Sequence, residues 1–390
     1  MFNRLYKVSK SNSFFLFGPR GTGKSTWLEQ YFKEIPHLYI DLLKPDEEER
    51  LAKNPSDLIA QIQGLDPIVS WVVIDEIQKV PKLLDVVHLC IEKHQKKFAL
   101  TGSSARKLKR GSANLLAGRA FVHRFFPLTH LELLTSVVLI DINQVLQWGT
   151  LPKIFHLQDP QDKIRYLRSY AQTYLKEEIV AEQVVRKLDP FRLFLEIAAQ
   201  HNGEIINFSN MARDVGVDTV TVQSYFQILE DTLMGFLLHP FHQSIRKRQR
   251  TNPKFYFFDT GVKRALAGQL TVDLQDQTYG FGKMFEHLVI VESLRLNEIF
   301  EKDYRFSYLR TKDDVEIDLI IERPGLPTAL VEIKSSVQVD ERNIKTLQSF
   351  QKDWKGPVEA YCLSRDSIPK VIDKVHLLPW QAGLKKIFNF

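Results

Sequence analysis

Two stretches of this chain combine residue types that handle phosphate and metal chemistry. The first is Gly18-Pro19-Arg20-Gly21-Thr22-Gly23-Lys24-Ser25, continuing into Thr26, which fits G-x-x-x-x-G-K-[ST]. Glycines at these places let backbone N–H groups converge on phosphate oxygens, and a helix starting here adds positive partial charge. Lys24 would reach the β- and γ-phosphates, and the Ser25 hydroxyl would hold Mg²⁺. Further on, an apolar run ends in Asp75-Glu76. Asp75 would hold the Mg²⁺ shell, and Glu76 would orient or deprotonate the attacking water. ATP and Mg²⁺ are the cofactors expected here, and hydrolysis of ATP is the reaction.

The second stretch is Val315-Glu316-Ile317-Asp318-Leu319 with Val331-Glu332-Ile333-Lys334-Ser335. Alternation in a strand puts Glu316 and Asp318 on one face and Val315, Ile317 and Leu319 on the other. It likewise sets Glu332 and Lys334 opposite Val331 and Ile333. Mg²⁺ takes carboxylate oxygens, so Asp318 and Glu332 are expected to bind metal. Lys334 would steady the attacking water or the phosphate, and the chemistry would be metal-assisted phosphodiester hydrolysis. Glu286, in a helical pattern, would add a further carboxylate. An isolated Glu-x-Lys also suits a solvated strand face. The upstream carboxylate strand and the turn Arg323-Pro324-Gly325 favour a site, catalytic or binding only.

These residues need elements to hold them. Apolar runs at 14–17, 37–41, 71–75 and 98–101 read as buried parallel strands. Helical patterns at 24–34, 46–63 and 81–94 alternate with them, the rhythm of an α/β fold. Ligands of such sheets bind at strand carboxyl ends. Thr101 or Ser103 is therefore either a γ-phosphate sensor or a helix N-cap. Arg106, Arg119 and Arg124 are each either an arginine finger or a surface ion pair.

A helical, charged block covers 136–190. Next come an amphipathic helix at 191–200, a short helix at 209–215 capped by Ser209, a turn at Gly216, and a helix at 219–233. Helices around a tight glycine turn read as helix-turn-helix. Strands at 236–245 and 253–258 would form a wing. At its tip lie Arg246, Lys247, Arg248 and Arg250, set against phosphates or merely solvated. Thr219, Thr221, Gln223 and Ser224 would face a major groove. The last block has a helix at 281–299, strands at 304–310, 315–322 and 328–334, a helix at 340–353 and a strand at 357–363.

Composition sets the limits. The chain has 390 residues, 44% apolar and 26% charged, which suits several folded cores and excludes general disorder. The net charge of +6 excludes a strongly basic coat, so local clusters decide any nucleic-acid contact. Cys90 and Cys362 are too few for a disulfide framework or a Cys-rich zinc site. No apolar run approaches a membrane span, and the start does not read as a signal peptide. A cytoplasmic protein without membrane contact is expected.

In their order, FGPRGTGKSTWL, WVVIDEIQKVP, LTGSSARKL, LLAGRAFVHRFFPLTHLEL, YFFDTGVKRAL, FGKMFEHLVIVESL, FSYLRTKDDVEIDLIIE and VEIKSS span nearly the whole chain. This set resembles a prokaryotic family of AAA-type ATPases with a C-terminal restriction-endonuclease-like domain. The resemblance implies ATP binding by Gly21, Gly23, Lys24 and Ser25, with Asp75 and Glu76 in the acidic strand. It implies the D-x(n)-[DE]-x-K site for Glu286, Asp318, Glu332 and Lys334. One departure is Thr150, where such chains usually carry a second glycine after Gly149.

The expected architecture is multidomain α/β. An AAA-type core (1–135) is followed by a helical lid (136–190), a winged helix (191–270) and a restriction-endonuclease-like domain (271–390). The expected function is ATP turnover controlling a nuclease-like tail, with DNA as partner, RNA as the other polymer, and a homo-oligomeric assembly. The rivals are a nucleotide-operated signalling or defence switch with an inactive tail, and a non-enzymatic winged-helix DNA-binding regulator.

Overall fold

The computed structural model describes residues 2–103, 116–136, 141–174, 188–242, 252–313 and 315–390. Two compact units emerge. One is Arg4–Leu128 with Ile228–Met234; the other is Met1–Asn3, Thr129–Gln227 and Gly235–Phe390.

The first unit runs β1 (Ser13–Phe17), α1 (Lys24–Tyr31), β2 (His37–Asp41), α2 (Pro45–Lys53), α3 (Asp57–Gln63), β3 (Trp71–Asp75), α4 (Leu83–His94), β4 (Lys97–Gly102) and β5 (Ala120–Arg124). Its sheet has the order β2-β3-β4-β1-β5, and every pairing is parallel. Helices cover both faces, which is why its inner strands are continuous apolar runs. Phe15, Val72, Ile74, Phe98 and Leu100 pack against Leu58, Leu83 and Val87 on one face. Phe14, Leu16, Val73 and Ala99 pack against Trp27, Leu28 and Phe125 on the other. The helical run expected at 46–63 is two helices, broken after Lys53. β5 was not anticipated: it is an edge strand, and Phe121 and Val122 are largely exposed, so it lacks the apolar signature of its neighbours.

The second unit begins with α5 (His130–Leu134), α6 (Ile142–Trp148), α7 (Pro160–Ser169), α8 (Leu188–Gln200), α9 (Phe208–Val215) and α10 (Thr219–Asp231), whose residues from Ile228 on are counted with the first unit. α9 is capped by Asn207, whose side chain accepts from Asn210 N at 3.0 Å, and not by Ser209. The Asn207 amide oxygen meets a free first-turn N–H, which leaves Ser209 inside the helix. β6 (Gly235–Leu238) and β7 (Lys254–Phe257) form the antiparallel hairpin. The long first strand expected at 236–245 stops at Leu238. The chain then crosses to another sheet, where Tyr308 N donates to His239 O and Phe241 N donates to Tyr308 O. Arg246, Lys247, Arg248 and Arg250 lie outside the described residues, as does Arg106.

α11 (Thr260–Leu266), α12 (Tyr279–Ile299), β8 (Arg305–Arg310), β9 (Glu316–Glu322), β10 (Thr328–Lys334), α13 (Lys345–Asp353), β11 (Val358–Ser364), β12 (Lys370–Ile372), β13 (Val375–Pro379) and α14 (Trp380–Phe388) complete the chain. The mixed sheet has the order β12-β13-β11-β10-β9-β8. One face packs on α12 and α14 through Leu319, Ile321, Val331 and Ile333. The other packs on α13 through Ile320, Leu330 and Cys362. Cys90 and Cys362 are both buried and free.

Behind α12 runs a buried polar chain. His130 N and Nδ1 meet Glu292 Oε1 at 2.7 and 2.5 Å. Arg295, 3.6 Å from Glu292, also donates to Phe258 O and to the Thr150 hydroxyl. Thr150 N donates to Asp259 at 2.7 Å. The departure at position 150 thus has a structural use: a glycine there would offer Arg295 no hydroxyl.

Among the described residues no helix is long and apolar enough to cross a membrane.

Candidate functional site

The loop between β1 and α1 is shaped for close backbone approach. Gly23 caps α1 at φ 93°, a left-handed conformation that favours glycine. A Cβ on Gly18 would lie 2.0 Å from the Phe125 carbonyl oxygen, so that wall of the loop admits no side chain. Lys24 is buried, and its ammonium donates to Gly18 O at 2.6 Å and Pro19 O at 3.2 Å. Thr22 Oγ1 donates to Pro19 O at 2.7 Å. The lysine is thereby folded over the loop carbonyls with the α1 N-terminus beside it. Pro19, Arg20, Gly21, Ser25 and Thr26 complete the same loop and first helical turn.

Asp75 ends β3 with both carboxylate oxygens engaged. Tyr39 OH donates to Oδ2 at 2.9 Å, and Thr101 Oγ1 donates to Oδ1. Burial, reinforced by Asp75, pushes the Tyr39 phenol up, so it stays a donor. Glu76 follows at φ 60° and ψ 46°, a left-handed position unusual for a non-glycine residue. Its N–H donates to Thr101 Oγ1 at 3.1 Å. Gln78 Nε2 donates to Glu76 Oε2 and, at 3.3 Å, to Ser103 Oγ. Thr101 therefore joins the acidic strand end to β4, and Gln78 joins Glu76 to Ser103. Arg119 is paired with Glu92, as the ion-pair reading expected. The N-cap reading of Ser103 involves residues outside those described.

Sequence reasoning missed Arg4, Tyr39 and Gln78. Arg4 donates to Thr22 O at 2.8 Å and Phe126 O at 2.6 Å, with its guanidinium 4.0 Å from the Phe125 ring centroid. It braces the loop from outside. Only Gln78, two residues beyond Glu76, carried a local signal.

In the second unit β9 does not alternate as expected. Ser307 pairs with Ile320 but Leu309 with Ile317, a bulge that inserts an extra residue of β9 at Asp318–Leu319. Ile317 consequently packs with Ile320 and Leu330, and Leu319 packs on the opposite face with Ile321 and Val331. The β9–β10 pairing ends at Leu319–Val331. Beyond it, Ile333 N donates to Asp318 Oδ2 at 2.7 Å, the side chain replacing a ladder carbonyl. The bulge thus aims Asp318 at the opened end of β10, which carries Glu332 and Lys334.

The expected residues converge there. Lys334 Nζ lies 2.5 Å from Glu332 Oε1, while the buried Glu332 Oε2 has no hydrogen-bond partner. Burial and repulsion from Glu332 and Glu286 push the Asp318 carboxyl well above its usual range. Burial also pushes Glu332 up, against the pull of Lys334. Glu286 goes the other way: burial raises it, but Lys254 and Lys283 outweigh burial and hold it down. Its Oε1 accepts from Tyr256 OH at 2.7 Å and its Oε2 from Lys283 Nζ at 3.0 Å. Lys254, Tyr256 and Lys283 were not anticipated, because nothing local to their positions marks them.

Among the described residues no group of three or more Asp, Glu, His or Cys side chains is disposed to hold a metal. Asp318 and Glu332 nonetheless fit one Mg²⁺, which takes one or two carboxylates and keeps its waters. The buried Glu332 oxygen that lacks a hydrogen-bond partner is the atom a cation would satisfy there.

Comparison with known proteins places an AAA domain at residues 10–134. Residues 139–273 and 281–382 match two domains of unknown function, DUF8612 and DUF4143. An uncharacterized protein of Mycobacterium tuberculosis is 27% identical over 317 residues, covering 80% of this chain and 68% of the relative. One from Haemophilus influenzae is 22% identical over 71% of this chain and 73% of its own length. One from Methanocaldococcus jannaschii is 22% identical over 87% of this chain and 79% of its own. Domain III of the Thermotoga maritima replication initiation protein DnaA aligns over 53% of this chain and 84% of its own, at 12% identity and a TM-score of 0.23, too low to carry an argument. The N-terminal part is thus an AAA-domain P-loop ATPase, for which ATP binding with Mg²⁺ is the implied chemistry.

Proposed function

We propose that this ATPase uses its nucleotide state to control a metal-dependent, restriction-endonuclease-like site in the second unit, acting on DNA or RNA. The observation that carries the reading is the meeting of Glu286, Asp318, Glu332 and Lys334 at a bulged ladder end with an unpartnered carboxylate oxygen.

In the first unit, Gly18 to Thr26 would cradle the ATP phosphates, and Lys24, which here donates to the loop carbonyls, would bind the β- and γ-phosphates. Ser25 and Asp75 hold Mg²⁺, and Glu76 activates water. Thr101 and Ser103 tie these acids to β4, where a γ-phosphate would be sensed. In the second unit, Asp318 and Glu332 hold Mg²⁺, which would stabilise charge on the scissile phosphate. Lys334 steadies the attacking water. The helix-turn-helix α9–α10 exposes Gln223 and Ser224, while Arg246, Lys247, Arg248 and Arg250 supply phosphate contacts. Arg124, or Arg106 outside the described residues, is a candidate trans finger in a homo-oligomer.

A second reading is favoured by the lysines. Lys254, Lys283 and Lys334 already neutralise much of the cluster, as in a binding scaffold operated by a nucleotide switch. The test is cleavage of single-stranded, duplex and branched DNA and of RNA, with Mg²⁺ or Mn²⁺ and with or without ATP. Cutting lost in Lys334→Ala, and altered in Lys24→Ala, supports the nuclease. Intact ATP turnover with no cutting selects the switch.

A further inference from the structure

The carboxylate cluster contains a cation that its metal-site pattern does not require. Lys254 lies on β7, within residues 139–273, whereas its carboxylate partners lie within residues 281–382. Only 2% of it is exposed. Its ammonium pairs with Glu316, lies 3.7 Å from Glu286 Oε1, and sits 5.2 Å from the Tyr308 ring centroid. Two residues along the strand, and so on the same face, Tyr256 donates to the same Glu286 oxygen. With Lys283 on its other oxygen, Glu286 accepts two hydrogen bonds and has the Lys254 ammonium close by as a further cation.

The other side of the cluster is unlike this. Asp318 accepts a backbone N–H from Ile333, and Glu332 keeps one buried oxygen unpartnered. One half of the cluster is saturated by side chains built into the fold; in the other, Lys334 takes one Glu332 oxygen and the second is left open.

We propose that Lys254 is an internal cation standing where a second metal ion would otherwise bind. It neutralises Glu286 and Glu316, so the cluster admits a single divalent cation, held by Asp318 and Glu332. The inference rests on the metal-dependent reading above. An ammonium and a hydrated Mg²⁺ compete for the same carboxylate oxygens, and a buried lysine already in contact needs no dehydration step. Lys254 is a positioning residue: it acts through the carboxylates and leaves the substrate to Asp318, Glu332 and Lys334. The site is also composite, since β7 must be present for the charge to balance.

The test counts ions. Nucleotide-free full-length protein is titrated with Mn²⁺ by calorimetry and by electron paramagnetic resonance. Asp318→Asn serves as reference, to subtract ions bound elsewhere, the P-loop included. Wild type should bind one ion more than Asp318→Asn. Lys254→Met should bind one ion more than wild type, and its melting temperature, lowered in EDTA, should recover with Mn²⁺ more than that of wild type. Lys254→Gln is the second variant, with the same expectations, should the methionine form not fold. Two site-specific ions in wild type overturn the proposal whether or not either variant folds. A single ion in Lys254→Met overturns it while leaving the metal site standing. No difference between wild type and Asp318→Asn sinks the metal reading and this inference together.

Discussion

Thr101→Val removes one hydroxyl at nearly constant volume, and that hydroxyl holds two groups of the ATPase site. It donates to Asp75 Oδ1 and accepts from Glu76 N at 3.1 Å. A hydrogen bond to a charged group contributes about 1.5–3 kcal/mol, and a neutral one about 1 kcal/mol. Glu76 sits in a left-handed conformation at φ 60°, which costs about 1–2 kcal/mol and which the bond to Thr101 helps offset. Without that bond Glu76 should relax from this position, away from where, on the proposed mechanism, it would meet the attacking water. Asp75 keeps its Tyr39 donor at 2.9 Å, and Lys24 donates to the loop carbonyls of Gly18 and Pro19, so nucleotide affinity should hold. If about 2 kcal/mol of the loss falls on the transition state, kcat drops about 30-fold. Steady-state ATP turnover measures kcat and KM, equilibrium titration measures ATP binding, and circular dichroism checks the fold. A folded variant whose kcat stays within about threefold of wild type would refute the coupling of Thr101 to Glu76.

Arg4→Met keeps the side-chain length but loses the bonds to Thr22 O and Phe126 O; ATP affinity should fall about tenfold, roughly one charge-assisted bond. Equal affinities in a titration would release Arg4 from the site. Glu292→Gln breaks the buried pairing of His130 with Glu292 and Arg295 and should lower stability by about 3 kcal/mol in denaturant melts at neutral pH. Burial pushes the Glu292 carboxyl up, but His130 and Arg295 outweigh it and hold it below the ordinary range. Its contribution is therefore complete above the ordinary Glu pKa of about 4.3 and disappears as pH falls through the lower folded value. That acid component should be missing from Glu292→Gln, and equal pH slopes in the two proteins would contradict the assignment.

Much of the ATPase site is written in contiguous residues. The G-x-x-x-x-G-K-S loop, the strands at Trp71–Asp75 and Phe98 onward, and the helix after Lys24 each depend on local backbone geometry or on burial of a short apolar run. A linear pattern can carry such information, and β2 and β3 coincide with their expected bounds. Expectations failed where a neighbour decided the outcome. The strand expected at 236–245 is divided because β7 pairs with its start and Tyr308 with its continuation. β5 is a strand because β1 offers it an edge.

The second site shows the same division more sharply. Residue type alone marked Asp318, Glu332 and Lys334 on successive strands, with Glu286 from a helix, as candidates for metal and phosphate chemistry. The tertiary structure decided how they meet. A bulge opposite Tyr308 reversed the facing of Ile317 relative to Leu319 and turned Asp318 toward Ile333. β7 brought Lys254 and Tyr256 against Glu286. Bulges and cross-strand partners depend on registers set between distant segments, and a lysine becomes part of a site only when the chain folds its strand against the acids. Sequence determines which groups are available for chemistry; the fold determines which of them are already neutralised and which are left open to a ligand.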